Sequence, residues 1–138
     1  MTFDVLGDIN YLAALVGALA YFAIGAAWYS PALFSKPWLK AIGREGEQPE
    51  TPGAMLFIGT AIAYFIQAVV LAAIARTTGA TELVDGLVLG IFVGVGVVAT
   101  VTWVNTSYEQ RPPALFWINA LNGVLGLVAM AIIVTIWD

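Results

Sequence analysis

The sequence predicts an all-α integral membrane four-helix bundle, built as two helical hairpins with a short interfacial helix after the first span. Three observations carry this. Four apolar runs are each long enough to cross a bilayer, the ionisable residues lie between them or at their ends, and Lys and Arg divide unevenly between the two sides that four spans define. Apolar residues make up 61% of the chain and charged residues 10%, whereas soluble domains carry roughly one-quarter charged residues. The runs are about 9–29, 54–75, 83–104 and 114–137, each near the length of about 20 residues that a helix needs to span hydrocarbon. They are apolar all round, which excludes the alternation of barrel strands.

The first run begins after Asp4 and Asp8, with its basic residues following it. A cleavable leader has the opposite polarity, so this run is read as a span. Asn10, Ala14, Gly17, Tyr21, Gly25 and Trp28 share one of its faces. Beyond Pro31, the apolar row Phe34, Trp38, Ile42 runs beside the basic row Lys36, Lys40, Arg44. That pairing predicts an interfacial helix over about 35–42, capped by Ser35, with its cations toward anionic lipid headgroups. Trp28 and Tyr29 belong to the same headgroup belt, as does Arg111 between the third and fourth spans.

Residues 43–53 read GREGEQPETPG, a polar, flexible linker between the hairpins. Thr51-Pro52 is expected to cap and start the second helix and Pro113 to start the fourth, while Gly79 breaks the loop before the third. Glu82 and Asp85 fall at the start of the third helix, where the helix dipole favours carboxylates. Trp28–Trp38 and Trp103–Trp117 resemble each other. Shared use of Trp, Tyr and Pro at the interface explains this, and a duplication is the alternative.

Within the spans the informative residues are small or carry amides. Gly86, Gly90 and Gly94 repeat every four residues, a pattern that lets helix backbones approach closely, and Thr102 and Asn105 continue the stripe. Asn119, Asn122, Gly123 and Gly126 share a face of the fourth helix, and Gly59, Ala63 and Gln67 one of the second. An unpartnered amide is costly in hydrocarbon, so these groups should point inward. Hydrogen-bonded glue between helices is the expected use, and the lining of a path for a small solute is the alternative.

The order NYLAALVGALAYFAIGAAWYSPALFSKPWLKAIG, followed by a charged linker and three further spans, resembles a bacterial membrane protein family catalogued as domain of unknown function 1761. The likeness covers the whole chain. Its sharpest part is Trp28-Tyr29-Ser30-Pro31 with Phe34, Lys36 and Trp38, and Asn105, Arg111 and Pro112 support it. The resemblance implies a small four-helix protein of the bacterial cytoplasmic membrane and brings no activity with it.

The absence of Cys and His removes disulfides, thiolate and imidazole metal ligands and haem ligation by these residues. No cofactor or metal is expected. The charge of −4 includes no basic cluster, which argues against nucleic acid. Proton-coupled transport through an intramembrane carboxylate is disfavoured, since the spans hold none at their centres. No nucleophile and base pair is evident, so no catalysis is expected. The expected function is a packing or scaffold unit that forms a homo-oligomer or an accessory subunit among membrane lipids, with a small-solute channel or carrier as the alternative. Lys36, Lys40, Arg44 and Arg111 fall in the first and third loops and Arg76 on the other side, so both termini should lie outside the cytoplasm.

Overall fold

The computed structural model describes residues 1–48 and 51–137. A short 3-10 helix, Phe3–Gly7, precedes α1 (Tyr11–Trp28), α2 (Ser35–Ala41) and α3 (Ala54–Thr78). α4 (Leu83–Val93), a π turn (Gly94–Ala99) and α5 (Thr100–Tyr108) follow one another without a break and together form the third span. α6 (Pro113–Ile136) is the fourth. The four long helices, α1, α3, Leu83–Tyr108 and α6, are each long and apolar enough to cross a membrane.

Local chemistry sets most of the ends. Asn10 caps α1, its side chain accepting from the Ala13 N–H at 3.1 Å. The same amide donates to the Trp137 carbonyl at 3.3 Å and so ties the start of the first span to the end of the last. Asn10 is therefore a cap and a tether. Gly79 closes α3 with φ of 73°, a left-handed conformation that glycine adopts without strain. Glu82 and Asp85 form a reciprocal capping box at the start of α4, with Asp85 accepting from the backbone N–H groups of Thr81 and Glu82 at 3.0 Å each. Pro113 opens α6, where its missing N–H costs nothing.

Two expected caps are displaced. α3 begins at Ala54 with Gly53 as its N-cap, leaving Thr51 and Pro52 exposed before the helix. Ser35 makes no cap either. It is the first residue of α2 and is buried, as is Leu39, and α2 packs on α6. Packing against the bundle thus orients α2 in addition to any contact with lipid. Lys36 and Lys40 remain exposed on its outer side. Within the expected 43–53 linker, Arg44 pairs with Glu47, while residues 49 and 50 lie outside the described residues.

α6 is the hub of the bundle. Of its apolar window 56% is buried, against 11% for the third span. One side of α6 receives α1, with Ala14 and Tyr21 joining Leu127, Met130, Ala131 and Val134 in the core, to which α3 adds Ala68, Leu71 and Ala72. Another side receives the third span through its glycines. A Cβ built on Gly86 would lie 2.7 Å from the Ile132 Cα, one on Gly90 2.5 Å from the Val128 Cα, and one on Gly94 3.1 Å from the Val124 Cα. Residues four apart on one helix thus meet residues four apart on the other, antiparallel, at a separation that admits no side chain between the backbones.

A stripe of period four drifts around an α-helix, which has 3.6 residues per turn. The π turn, with i→i+5 hydrogen bonds, is wider and takes back part of that drift. The inward line of the third span therefore continues from Gly94 through half-buried Val98 and Thr102 to buried Thr106. Asn105 is exposed, contrary to the expectation that it continues the stripe. On α3, Gly59 and Ala63 are exposed as well, and the packed residues are Ala68, Leu71, Ala72 and Ala75, one turn further along.

Candidate functional site

α3 leaves the bundle toward its first residues. Its second half is buried at Ala68, Leu71–Ala73 and Ala75, whereas Ala54–Gly59 and Ala61–Ala63 are exposed. This opens a cleft beside α1 with a cavity of about 690 Å³, and α2 closes over one end through Trp38. Tyr29, Thr60, Tyr64 and Asn119 bring polar atoms to it, and Phe22, Phe57 and Leu56 contribute apolar wall.

The aromatic side chains around the cleft form two clusters. Phe22 packs on Phe57 and Tyr64 with ring centroids 5.7 and 5.9 Å apart, and Tyr64 stacks on Tyr21 at 3.9 Å. In the second cluster Tyr29 meets Trp38 edge to face at 5.7 Å. Beside it, Trp28 lies 4.3 Å from Phe34.

Hydrogen bonds fix the second cluster on α6. The Tyr29 hydroxyl donates to Asn119 Oδ1 at 2.7 Å, and the Trp28 indole N–H donates to the Ile118 carbonyl at 2.9 Å. The two ring systems that end α1 are thus clamped to the start of α6. Tyr29→Phe removes the hydroxyl and leaves the Asn119 oxygen without that partner, so it is expected to cost about 1 kcal/mol of stability in a detergent unfolding titration. A loss within error would mean that solvent replaces the bond.

The family model described as "Protein of unknown function (DUF1761)" matches residues 12–135. The chain belongs to this family. No curated protein and no solved structure matches it. The matched stretch takes in the described lining of the cleft and the glycine seam between the third span and α6, and leaves out Asn10 and Trp137.

Within this DUF1761 fold the sequence-derived residues separate into groups. Gly86, Gly90 and Gly94 meet α6. A Cβ on Gly123 would lie 3.0 Å from the Val98 side chain, and one on Gly126 within 2.4–2.7 Å of three Tyr21 ring atoms. Thr102 donates its hydroxyl to the Val98 carbonyl at 2.7 Å, a bond within its own helix. Asn119 lines the cleft, while Asn122 is buried one turn along, its Oδ1 without a hydrogen-bond partner and 3.9 Å from where a Cβ on Gly25 would sit. Gln67 is half-buried on α3. Arg111 is exposed with Glu109 Oε2 4.0 Å from its Nε.

Tyr64, Thr60 and Thr106 carry no sequence signal of comparable strength. Threonine is common in spans because its hydroxyl can bond back to its own helix, as Thr60 does to the Leu56 carbonyl at 2.7 Å. Tyr64 is distinguished only as a phenol away from the ends of a span, where tyrosine usually anchors at the interface.

Proposed function

We propose that the protein is a non-catalytic packing unit of the bacterial cytoplasmic membrane, which associates with copies of itself through the outer face of its third span. The observation that carries this reading is the one-sided attachment of that span. It meets α6 along its glycine stripe and leaves Phe92, Val95, Val101 and Trp103 exposed. Among them Gly96 faces open space, and Thr100, four residues on, is exposed with its hydroxyl bonded back to the carbonyls of Gly96 and Val97 at 3.0 and 2.9 Å. Two small residues at that spacing allow a second helix to approach closely.

In native mass spectrometry from mild detergent, the wild-type chain is expected as a multiple of its 14.6 kDa mass. Gly96→Leu should return it to monomer with unchanged helix content. A wild-type monomer, or an oligomer indifferent to Gly96→Leu, overturns the reading, and a stable hetero-complex moves it to an accessory subunit.

The alternative, a carrier lined by Gln67, Thr102, Asn119 and Asn122, draws its support from the unpartnered Asn122 oxygen. Against it, the Thr102 hydroxyl and the Asn119 oxygen already have partners inside the chain, and Leu71, Leu127 and Met130 are fully buried in the core.

Both termini lie outside the cytoplasm in this reading, because four of the five basic residues fall in the first and third loops. The chain has no cysteine, so single introduced thiols report cleanly. The thiol of Glu47→Cys should be shielded from an impermeant maleimide in intact cells and that of Thr78→Cys labelled, both positions being exposed. The opposite pattern would reverse the topology.

A further inference from the structure

We propose that the cleft between α1 and α3 is a binding site for a neutral amphiphile with a flat, ring-shaped head bearing hydrogen-bond acceptors and an apolar tail, the chemistry of an isoprenoid quinone. The cavity is about 690 Å³, within the range of small-molecule sites. Among the described residues its lining contains no Lys, Arg, Asp or Glu, so an ionised headgroup would enter without a counter-charge from them. A neutral head meets no such cost.

The lining is rich in aromatic rings. Phe22, Phe57 and Tyr64 form one cluster, Tyr29 and Trp38 another. Flat π-systems gain from offset or edge contact with such rings, a gain that a saturated glycerol head does not share. The polar complement matches as well. Asn119 Oδ1 is engaged by the Tyr29 hydroxyl, so what the amide offers further is its donor side, suited to a carbonyl oxygen. The apolar wall of the cleft suits a tail. Leu56 and Phe57 line the cleft and are exposed along the start of α3, where the bilayer would lie against a spanning helix.

The test uses the full chain in nanodiscs, titrated with decylubiquinone while tryptophan emission is followed. Trp38 lines the cleft and Trp28 lies next to it, so bound quinone should quench emission saturably, beyond the quenching of free tryptophanamide in the same discs. Asn119→Leu should weaken binding about tenfold by removing the donor. Thr60→Phe should fill the space and abolish saturation, and since the Thr60 hydroxyl bonds back to the Leu56 carbonyl of its own helix, that variant is expected to keep the wild-type helix content and melting point. Dioleoylglycerol in tenfold excess should not displace the quinone. Linear, unsaturable quenching overturns the proposal, as does equal binding by folded Thr60→Phe or displacement by dioleoylglycerol. Because these readouts are taken within one chain, they are independent of whether the third span mediates association.

Discussion

Gly90→Ala is expected to lower the stability of the bundle by about 3 kcal/mol, at the upper end of what overpacking of a well-packed interior costs. The added Cβ would sit 2.5 Å from the Val128 Cα and 3.1 Å from the Leu127 carbonyl oxygen, where carbon atoms need about 3.5 Å or more. Both obstacles are backbone. No rotamer change relieves them, so the third span must separate from α6 along its whole seam. Gly96→Ala, in the same span, meets nothing of its own chain within 4 Å and, in a detergent that holds the chain monomeric, should be neutral or stabilise by about 0.5 kcal/mol through the better helix propensity of alanine. Detergent unfolding followed by circular dichroism compares the two. Equal effects would mean that backbone contact between α4 and α6 does not hold the span in place.

Gly126→Ala should cost about 2 kcal/mol by a different route. Its Cβ would meet the Tyr21 ring at 2.4, 2.5 and 2.7 Å. The ring has little room to retreat, since its other face stacks on Tyr64 at 3.9 Å with planes 12° apart. Replacing Tyr21 by Leu in the Gly126→Ala background should therefore recover part of the loss. A double-mutant cycle is expected to give a coupling of about 1 kcal/mol or more between the two positions. Strict additivity would show that Tyr21 does not rest on Gly126.

These two sites illustrate what is legible in the sequence. The spans follow from length and hydropathy, because lipid admits few alternatives to a helix with all its backbone bonds satisfied. The glycine spacing of Gly86, Gly90 and Gly94 points to close approach and is visible as a period of four. Which helix they approach is a tertiary fact with no local signal. The expectation for Asn105 fails because it presumes a regular helix, whereas the π turn at Gly94–Ala99 re-phases the span and brings Thr106 inward. Gly59 misleads for a related reason. A stripe marks a face, but not whether a neighbour reaches it, and α3 has already left the bundle at that height.

The cleft is the least legible feature. Its residues come from α1, α2, α3 and α6, and its existence depends on the angle at which α3 diverges, which no spacing within one helix encodes. Asn119 is identifiable as an inward amide. Its pairing with Tyr29 is not, because the two lie 90 residues apart and meet only when α1 and α6 pack.

What defines the proposed association is that the third span holds to α6 by one face and offers its other face to a second copy. The Gly96→Cys variant, in a chain that otherwise has no cysteine, tests this most directly by copper-phenanthroline oxidation in native membranes. Gly96→Cys is expected to yield a covalent dimer at twice the chain mass of 14.6 kDa. Gly59→Cys, on an equally exposed part of α3 with nothing within 4 Å, should remain monomeric. Monomer from Gly96→Cys, or equal cross-linking of both variants, would contradict the claim.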